Sequence, residues 1–214
     1  MARIKILIMI LGVFIVINCQ SNMDDFQNLS PEDRKELAIQ KNDVAMQMFQ
    51  RYLLLHENDS IAYQVLDSLD LAIKYDSTYS LAYQNKAGIL TQMGNYQEAV
   101  NVLETLVQRQ DTTEAMVITH LGMSYDMLSH FYKEKAQKTL EKAIAIYDEK
   151  LKEDPENVWM WSERAMLFAY SGSREKALEE IEKIIAKFPD DDMPLSYKEE
   201  ILRFDREEFI KSMY

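Results

Sequence analysis

A spacing repeated along the chain restricts its fold more than any other feature. Residues 80–113, SLAYQNKAGILTQMGNYQEAVNVLETLVQRQDTT, and residues 158–191, VWMWSERAMLFAYSGSREKALEEIEKIIAKFPDD, are each 34 residues long and carry matching residue types in one register. Tyr83 answers to Trp161, Ala87 to Ala165, Leu90 to Phe168, Gly94 to Gly172, Ala99 to Ala177, Leu103 to Ile181 and Leu106 to Ile184. Trp161 and Phe168 stand seven residues apart, two helical turns, so both lie on one side of a first helix. Ala165 between them allows a second helix to approach closely. Gly172 supplies a permissive backbone for the turn, Ser173 can cap the second helix, and Pro189 stops it. Two short helices cannot bury their apolar faces alone, so a unit of this length must stack on copies of itself.

Two further units extend the series. SLDLAIKYDST, residues 68–78, places Leu69, Ala72 and Ile73 on the apolar side of a second helix, and its partner helix is expected from about Met46. A third, irregular unit carries Leu121, Gly122 and Tyr125 in its first helix and EKAIAIYDEKLKEDPEN, residues 141–157, in its second. From Tyr125 to Ala143 is eighteen steps, where Phe168 to Ala177 takes nine. That hairpin is therefore longer by about two turns, and Lys133 to Lys152 is expected as one extended helix. Ser30-Pro31-Glu32-Asp33 opens a helix ahead of the series, with a capping hydroxyl, Pro in the first turn and acids at the positive end of the dipole. Asn95 with Glu98, Ser196 with Glu199 and Asp205 with Glu208 read as capping boxes. Leu195, Ile201, Leu202, Phe209 and Ile210 are expected to cover the last repeat, as a terminal cap must.

These units resemble tetratricopeptide repeats. The resemblance implies an all-α chain folded as a right-handed α-solenoid of antiparallel helical hairpins, with repeats near 46–79, 80–113, 114–157 and 158–191 and a cap over 192–214. It also implies that the first helices line a concave face that holds a segment of a partner protein. In register, that lining is Gln47, Gln50 and Leu54, then Gln84, Gly88 and Gln92, then Met116, Thr119, Met123 and Met127, and finally Trp159, Ser162, Met166 and Tyr170. Methionine is a soft contact surface suited to peptides and helices, and the same side chains can equally pack between hairpins. Gln50, Gln84, Thr119 and Ser162 occupy a position where members that clamp a terminal carboxylate carry Lys, Arg or Asn. A buried carboxylate needs charge-assisted donors, so that class of partner is not expected.

Composition agrees and adds a location. Five Gly and four Pro are too few for a turn-rich β fold. A formal net charge of -12 argues against sequence-independent nucleic-acid binding, which needs Lys and Arg in excess. Arg3 and Lys5 precede twelve uncharged residues, Ile6 to Ile17, in the layout of a signal peptide over 1–18. The run falls short of the roughly 20 residues of a membrane span. Val16, Ile17, Asn18 and Cys19 resemble the lipobox of bacterial lipoproteins, with Asn18 where Gly, Ala or Ser is usual. That resemblance implies a lipid on Cys19, the only cysteine, and a membrane partner reached through it. Two or more acyl chains, at about 0.8 kcal/mol per buried CH₂, hold a protein where one does not. Taken without the resemblance, Cys19 is a small apolar residue that ends the run. Cleavage before it would move the formal charge from -12 to -14, since Arg3 and Lys5 leave and no acid does. Residues 19–29 then form a polar tether, and Asp24 and Asp25 resemble the acidic export signal of surface lipoproteins in Bacteroidota.

Nothing in the sequence indicates catalysis, a metal or a cofactor. His56, His120 and His130 lack the i, i+4 pairing of a helix-borne metal site, and Asp190-Asp191-Asp192 lacks the alternation of a calcium loop. Asp59-Ser60-Ile61, Asp76-Ser77-Thr78 and Asp111-Thr112-Thr113 resemble a bacterial O-glycosylation signal, and helix capping accounts for the same residues. The expectation is a non-enzymatic adaptor, lipid-anchored in the bacterial cell envelope at the outer membrane, that binds an unidentified protein or peptide. The alternative is a substrate-binding or enzyme-accessory lipoprotein that holds a glycan or peptide, with Trp159 and Tyr170 as stacking surfaces, and a third reading is a structural spacer with no specific ligand.

Overall fold

The computed structural model describes residues 29–55, 60–110, 114–206 and 208; the signal segment with Cys19, and Phe209 and Ile210, lie outside them. Among the described residues the chain is all-α. The helices are α1 (Pro31–Leu55), α2 (Ser60–Tyr75), α3 (Ser80–Gln92), α4 (Tyr96–Gln110), α5 (Ala115–Leu128), α6 (Lys133–Glu153), α7 (Val158–Tyr170), α8 (Arg174–Lys187) and α9 (Met193–Arg203). Successive helices pair as antiparallel hairpins, and the first helices of neighbouring hairpins also touch, α1 with α3 and α3 with α5. That is the inner row of an α-solenoid. No described helix is long and apolar enough to cross a membrane.

The repeated glycines act where backbone geometry requires them. Gly94 and Gly172 have φ of 76° and 88°, the left-handed region in which a side chain is strained. In each case the following residue's N–H reaches back along the chain, Asn95 to the Leu90 carbonyl at 2.8 Å and Ser173 to the Phe168 carbonyl at 2.7 Å. The glycine N–H closes the inner bond, and the pattern is a Schellman end. Both helices therefore stop and reverse identically. The third hairpin has no such glycine. Its chain passes instead through extended Ser129 and a 3-10 turn, His130–Tyr132, into the 21-residue α6, with Phe131 95% exposed at the tip.

Small and large residues alternate across the packed faces. Ala165 and Ala177, both fully buried, let α7 and α8 close on each other, with Phe168, Ile181 and Ile184 beside them. A second core joins α1 through α6 around Val65, Leu69, Leu90 and Leu103, with Ala136 as the α6 contribution. A third, Ile118, Leu140, Tyr147 and Leu167, links α5, α6 and α7. Arg164 ties the same region together from α7, pairing with Asp148 on α6 at 2.5 Å and Glu180 on α8 at 2.8 Å.

The caps depart in part from expectation. Ser30 does cap α1: its Oγ accepts the Asp33 N–H at 3.1 Å, while the Asp33 carboxylate accepts the Ser30 N–H at 3.3 Å. The helix it opens then runs unbroken to Leu55, so the expected opening helix and the first helix of the first hairpin are one element. Ser173 stands at the start of α8 without a side-chain capping bond. Ser196 caps nothing, because α9 already begins at Met193 with Pro194 in its first turn. The buried face of α9 is that of Pro194 and Ile201, seven residues apart, so of the residues expected to cover the last repeat Ile201 does so, while Leu195 and Leu202 face solvent. Asp205 does accept the Glu208 N–H at 2.8 Å. At Asp76-Ser77-Thr78 the Asp76 carboxylate receives the Thr78 N–H and hydroxyl at 2.8 and 2.6 Å, a turn that leads into α3.

Candidate functional site

The inner row brings part of the expected lining into one concavity. A cavity of about 230 Å³ lies between α3 and α5, walled by Gln84, Ala87, Gly88, Thr91 and Gln92 from α3 and by His120, Met123, Ser124 and Met127 from α5, with Leu103 of α4 behind. Residues 84, 88 and 92 succeed one another at one helical turn, which is why α3 presents all three to the same side. Apart from the backbone of its own helix and its chain neighbours, Gly88 has no atom within 4 Å of the place a Cβ would occupy, so the cavity extends to the α3 backbone.

The polar groups in this wall differ in what they have left to offer. Thr91 and Ser124 spend their hydroxyl protons on their own helices, donating to the Ala87 carbonyl at 2.9 Å and the His120 carbonyl at 2.8 Å. Gln84 is only 9% exposed, and its Oε1 is buried without a hydrogen-bond partner. Burial holds the His120 imidazole below its ordinary pKa, so it is neutral at pH 7. No Lys, Arg, Asp or Glu lines the cavity.

The remaining expected residues are dispersed. Gln47 and Gln50 are exposed on α1, and the Leu54 side chain lies outside the described residues. Thr119 is buried, its hydroxyl donating to the Ala115 carbonyl at 2.9 Å, while Met116 is exposed. Ser162 and Met166 are buried within α7 packing. Trp159 lies edge-on to Tyr147, ring centres 6.4 Å apart. Tyr170 is eleven residues away, roughly 16 Å along the helix at about 1.5 Å per residue. It packs edge-on against Phe204 at 4.8 Å.

Phe204 belongs to a closure that the spacing did not foretell. After α9 the chain turns back so that Phe204 and Arg206 sit among Met123, Asp126 and Met127 of α5, Leu140 of α6 and Tyr170 of α7. Arg206 pairs with the Asp126 carboxylate and donates to the Tyr170 carbonyl at 2.9 Å, bridging α5 to α7. The C-terminal end of the inner face is thus filled by the chain itself. Beside it, Glu163 accepts the Tyr197 hydroxyl and has no basic partner among the described residues. Burial, with Glu200 nearby, raises its pKa against that hydrogen bond. His120, Thr91 and Ser124 were not foreseen at the site. His120 carried a signal, being a polar residue one turn before Met123 on the same helix.

Comparison with known proteins supports the same architecture. The tetratricopeptide repeat profile matches residues 81–113, which is the unit of α3 and α4. No curated protein matches the sequence. The crystal structure of a tetratricopeptide repeat protein from Parabacteroides merdae ATCC 43184 superposes with a TM-score of 0.51 at 14% identity, over 82% of this chain and 62% of that one. This chain thus spans less than two thirds of that protein's length, and at such identity the likeness concerns the fold. A thermophilic tetratricopeptide protein from Thermus thermophilus gives a TM-score of 0.48 at 19% identity, covering 86% of this chain and 88% of that one.

Proposed function

We propose that this chain is a non-enzymatic adaptor of the bacterial cell envelope, held at the membrane by a lipid on Cys19, that captures a segment of another protein on its inner face. A tetratricopeptide-type solenoid supports a protein or peptide partner as the general role. The observation that carries the reading is the cavity between α3 and α5, where an inner-row concavity combines apolar walls with polar groups not consumed by the fold. Stable interfaces need buried apolar anchors surrounded by a polar rim. The cavity offers the first, and the exposed Gln92 at its edge the second. The glycan-holding alternative needs converging aromatic platforms, and Trp159 and Tyr170 are engaged separately, with Tyr147 and Phe204.

The test places a photocrosslinking residue at Gln92 and, as a control, at Lys142 on α6, in cells that make the protein naturally. Capture of a defined protein at Gln92 and not at Lys142 is the expected result; equal capture at both would show that the inner face is not the binding surface. In parallel, Cys19→Ser should remove the acyl groups and change the mass of the mature chain, whether or not residues 1–18 are then retained. An unchanged mass would overturn the lipid anchor while leaving the adaptor reading to the crosslinks.

A further inference from the structure

We propose that the cavity between α3 and α5 is an anchor pocket for one uncharged aromatic side chain that carries a single hydrogen-bond donor, a tryptophan indole or a tyrosine phenol. The inference rests on the adaptor reading and specifies what the captured segment inserts. Size comes first. Pockets for whole small-molecule ligands typically measure about 300–1,000 Å³, and this one, at about 230 Å³, suits a single large side chain. Charge comes second. With no ionised group in the wall and with His120 held neutral, a Lys, Arg, Asp or Glu entering here would be desolvated without a counter-charge.

The donor requirement comes from Gln84. Its Oε1 is an acceptor taken out of water and given nothing in return, a state that folded proteins tolerate rarely because the lost hydration goes uncompensated. The terminal amide torsion is broad and roughly two-fold, so Oε1 can turn toward a guest without moving the helix. Neighbouring hydroxyls cannot relieve it, because Thr91 and Ser124 already donate to their own helices. The rest of the wall favours an aromatic body: Met123 and Met127 offer polarizable sulfur at a ring edge, and the absence of a side chain at Gly88 leaves room for a flat ring against the backbone. Indole N–H and phenol O–H meet all these demands at low conformational cost, having few rotatable bonds.

The full chain with ¹³C-labelled methionine methyls is titrated with indole, 4-methylphenol and 1-methylindole, which keeps the ring and lacks the N–H. Indole and 4-methylphenol are expected to shift the Met123 and Met127 methyls, and 1-methylindole to bind about fivefold more weakly, the worth of one net hydrogen bond. Gln84→Leu should abolish the difference between indole and 1-methylindole. Gly88→Leu, at an open position, should fill the space and abolish the shifts with the fold intact by circular dichroism. The proposal is overturned if indole leaves both methyls unmoved up to its solubility limit, or if wild type binds indole and 1-methylindole equally. Either failure would leave crosslinking at Gln92 untouched, so the pocket and the adaptor role fall separately.

Discussion

Gln84 is buried at a cost that the fold does not recover, since its Oε1 has no hydrogen-bond partner. A helix packed this tightly would be better served by an apolar side chain, since replacing a buried unsatisfied amide with a group of similar shape removes a desolvation cost. Gln84→Met should therefore leave stability unchanged or raise it by up to about 1 kcal/mol, measured by the urea midpoint, instead of showing the loss usual for a buried position. His120 gives a second test at this scale. Its pKa is lowered in the folded chain relative to an unfolded value of about 6.5. Below about pH 6.5 the unfolded chain binds the proton that the folded chain refuses, so stability falls as pH falls through that value. In His120→Asn this part of the acid sensitivity should disappear, and a pair of denaturation series at about pH 7.5 and 5.5 will read it. An unchanged difference between the two pH values would place the sensitivity in other groups.

At the scale of elements, the third hairpin differs most from its neighbours. Its helices lie close because Gly122 has no side chain: a Cβ there would meet Leu140 Cδ2 at 2.8 Å, Cγ at 2.9 Å and the Leu140 backbone nitrogen at 3.3 Å. Gly122→Ala is expected to cost about 1–3 kcal/mol by overpacking against that element. Gly88→Ala is the matched control, in a helix interior with open space around it, and should stabilise by about 0.5–1 kcal/mol through helix propensity. If the two changes shift the melting transition alike, close approach is not what Gly122 provides. The long α6 was legible in the spacing alone, since the count from Tyr125 to Ala143 requires extra turns, and α6 spans Lys133–Glu153. The helix starts were less legible. Ser196 with Glu199 has the letters of a capping box, yet Pro194, acceptable only near a helix start, places that start four residues earlier, with Asp192 at the N-cap position.

For the whole molecule, contact between neighbouring hairpins makes stability close to a sum of local and nearest-neighbour contributions. Ile181 is fully buried in the α7–α9 core, so Ile181→Ala should cost about 2–5 kcal/mol. The loss should appear in hydrogen exchange as opening of α7 to α9, with α1 to α4 keeping their protection. Uniform loss across the chain would instead show one indivisible unit. Arg206 extends the coupling beyond nearest neighbours, because it joins Asp126, 80 positions earlier in the sequence, to the Tyr170 carbonyl. Arg206→Ala should loosen α5 against α7 and expose Tyr170, read as increased solvent quenching of tyrosine emission.

The sequence alone determined the helical class, the hairpin repeat, the turn glycines and the length of α6, because each follows from local spacing: about 3.6 residues per turn, a glycine where φ must be positive, a proline where a helix must end. It also determined that Gln84, Gln92 and Met123 would share the inner row. Which of that row stays open to a concavity was decided by tertiary structure. Met166 and Ser162 vanish into helix packing, Tyr170 goes under Phe204, and α3 and α5 stand far enough apart to leave a cavity between them. Register assigns a residue to a face, but the distance between faces depends on how far successive hairpins rotate and on where the terminal segment returns, and neither is written in the period of the repeat.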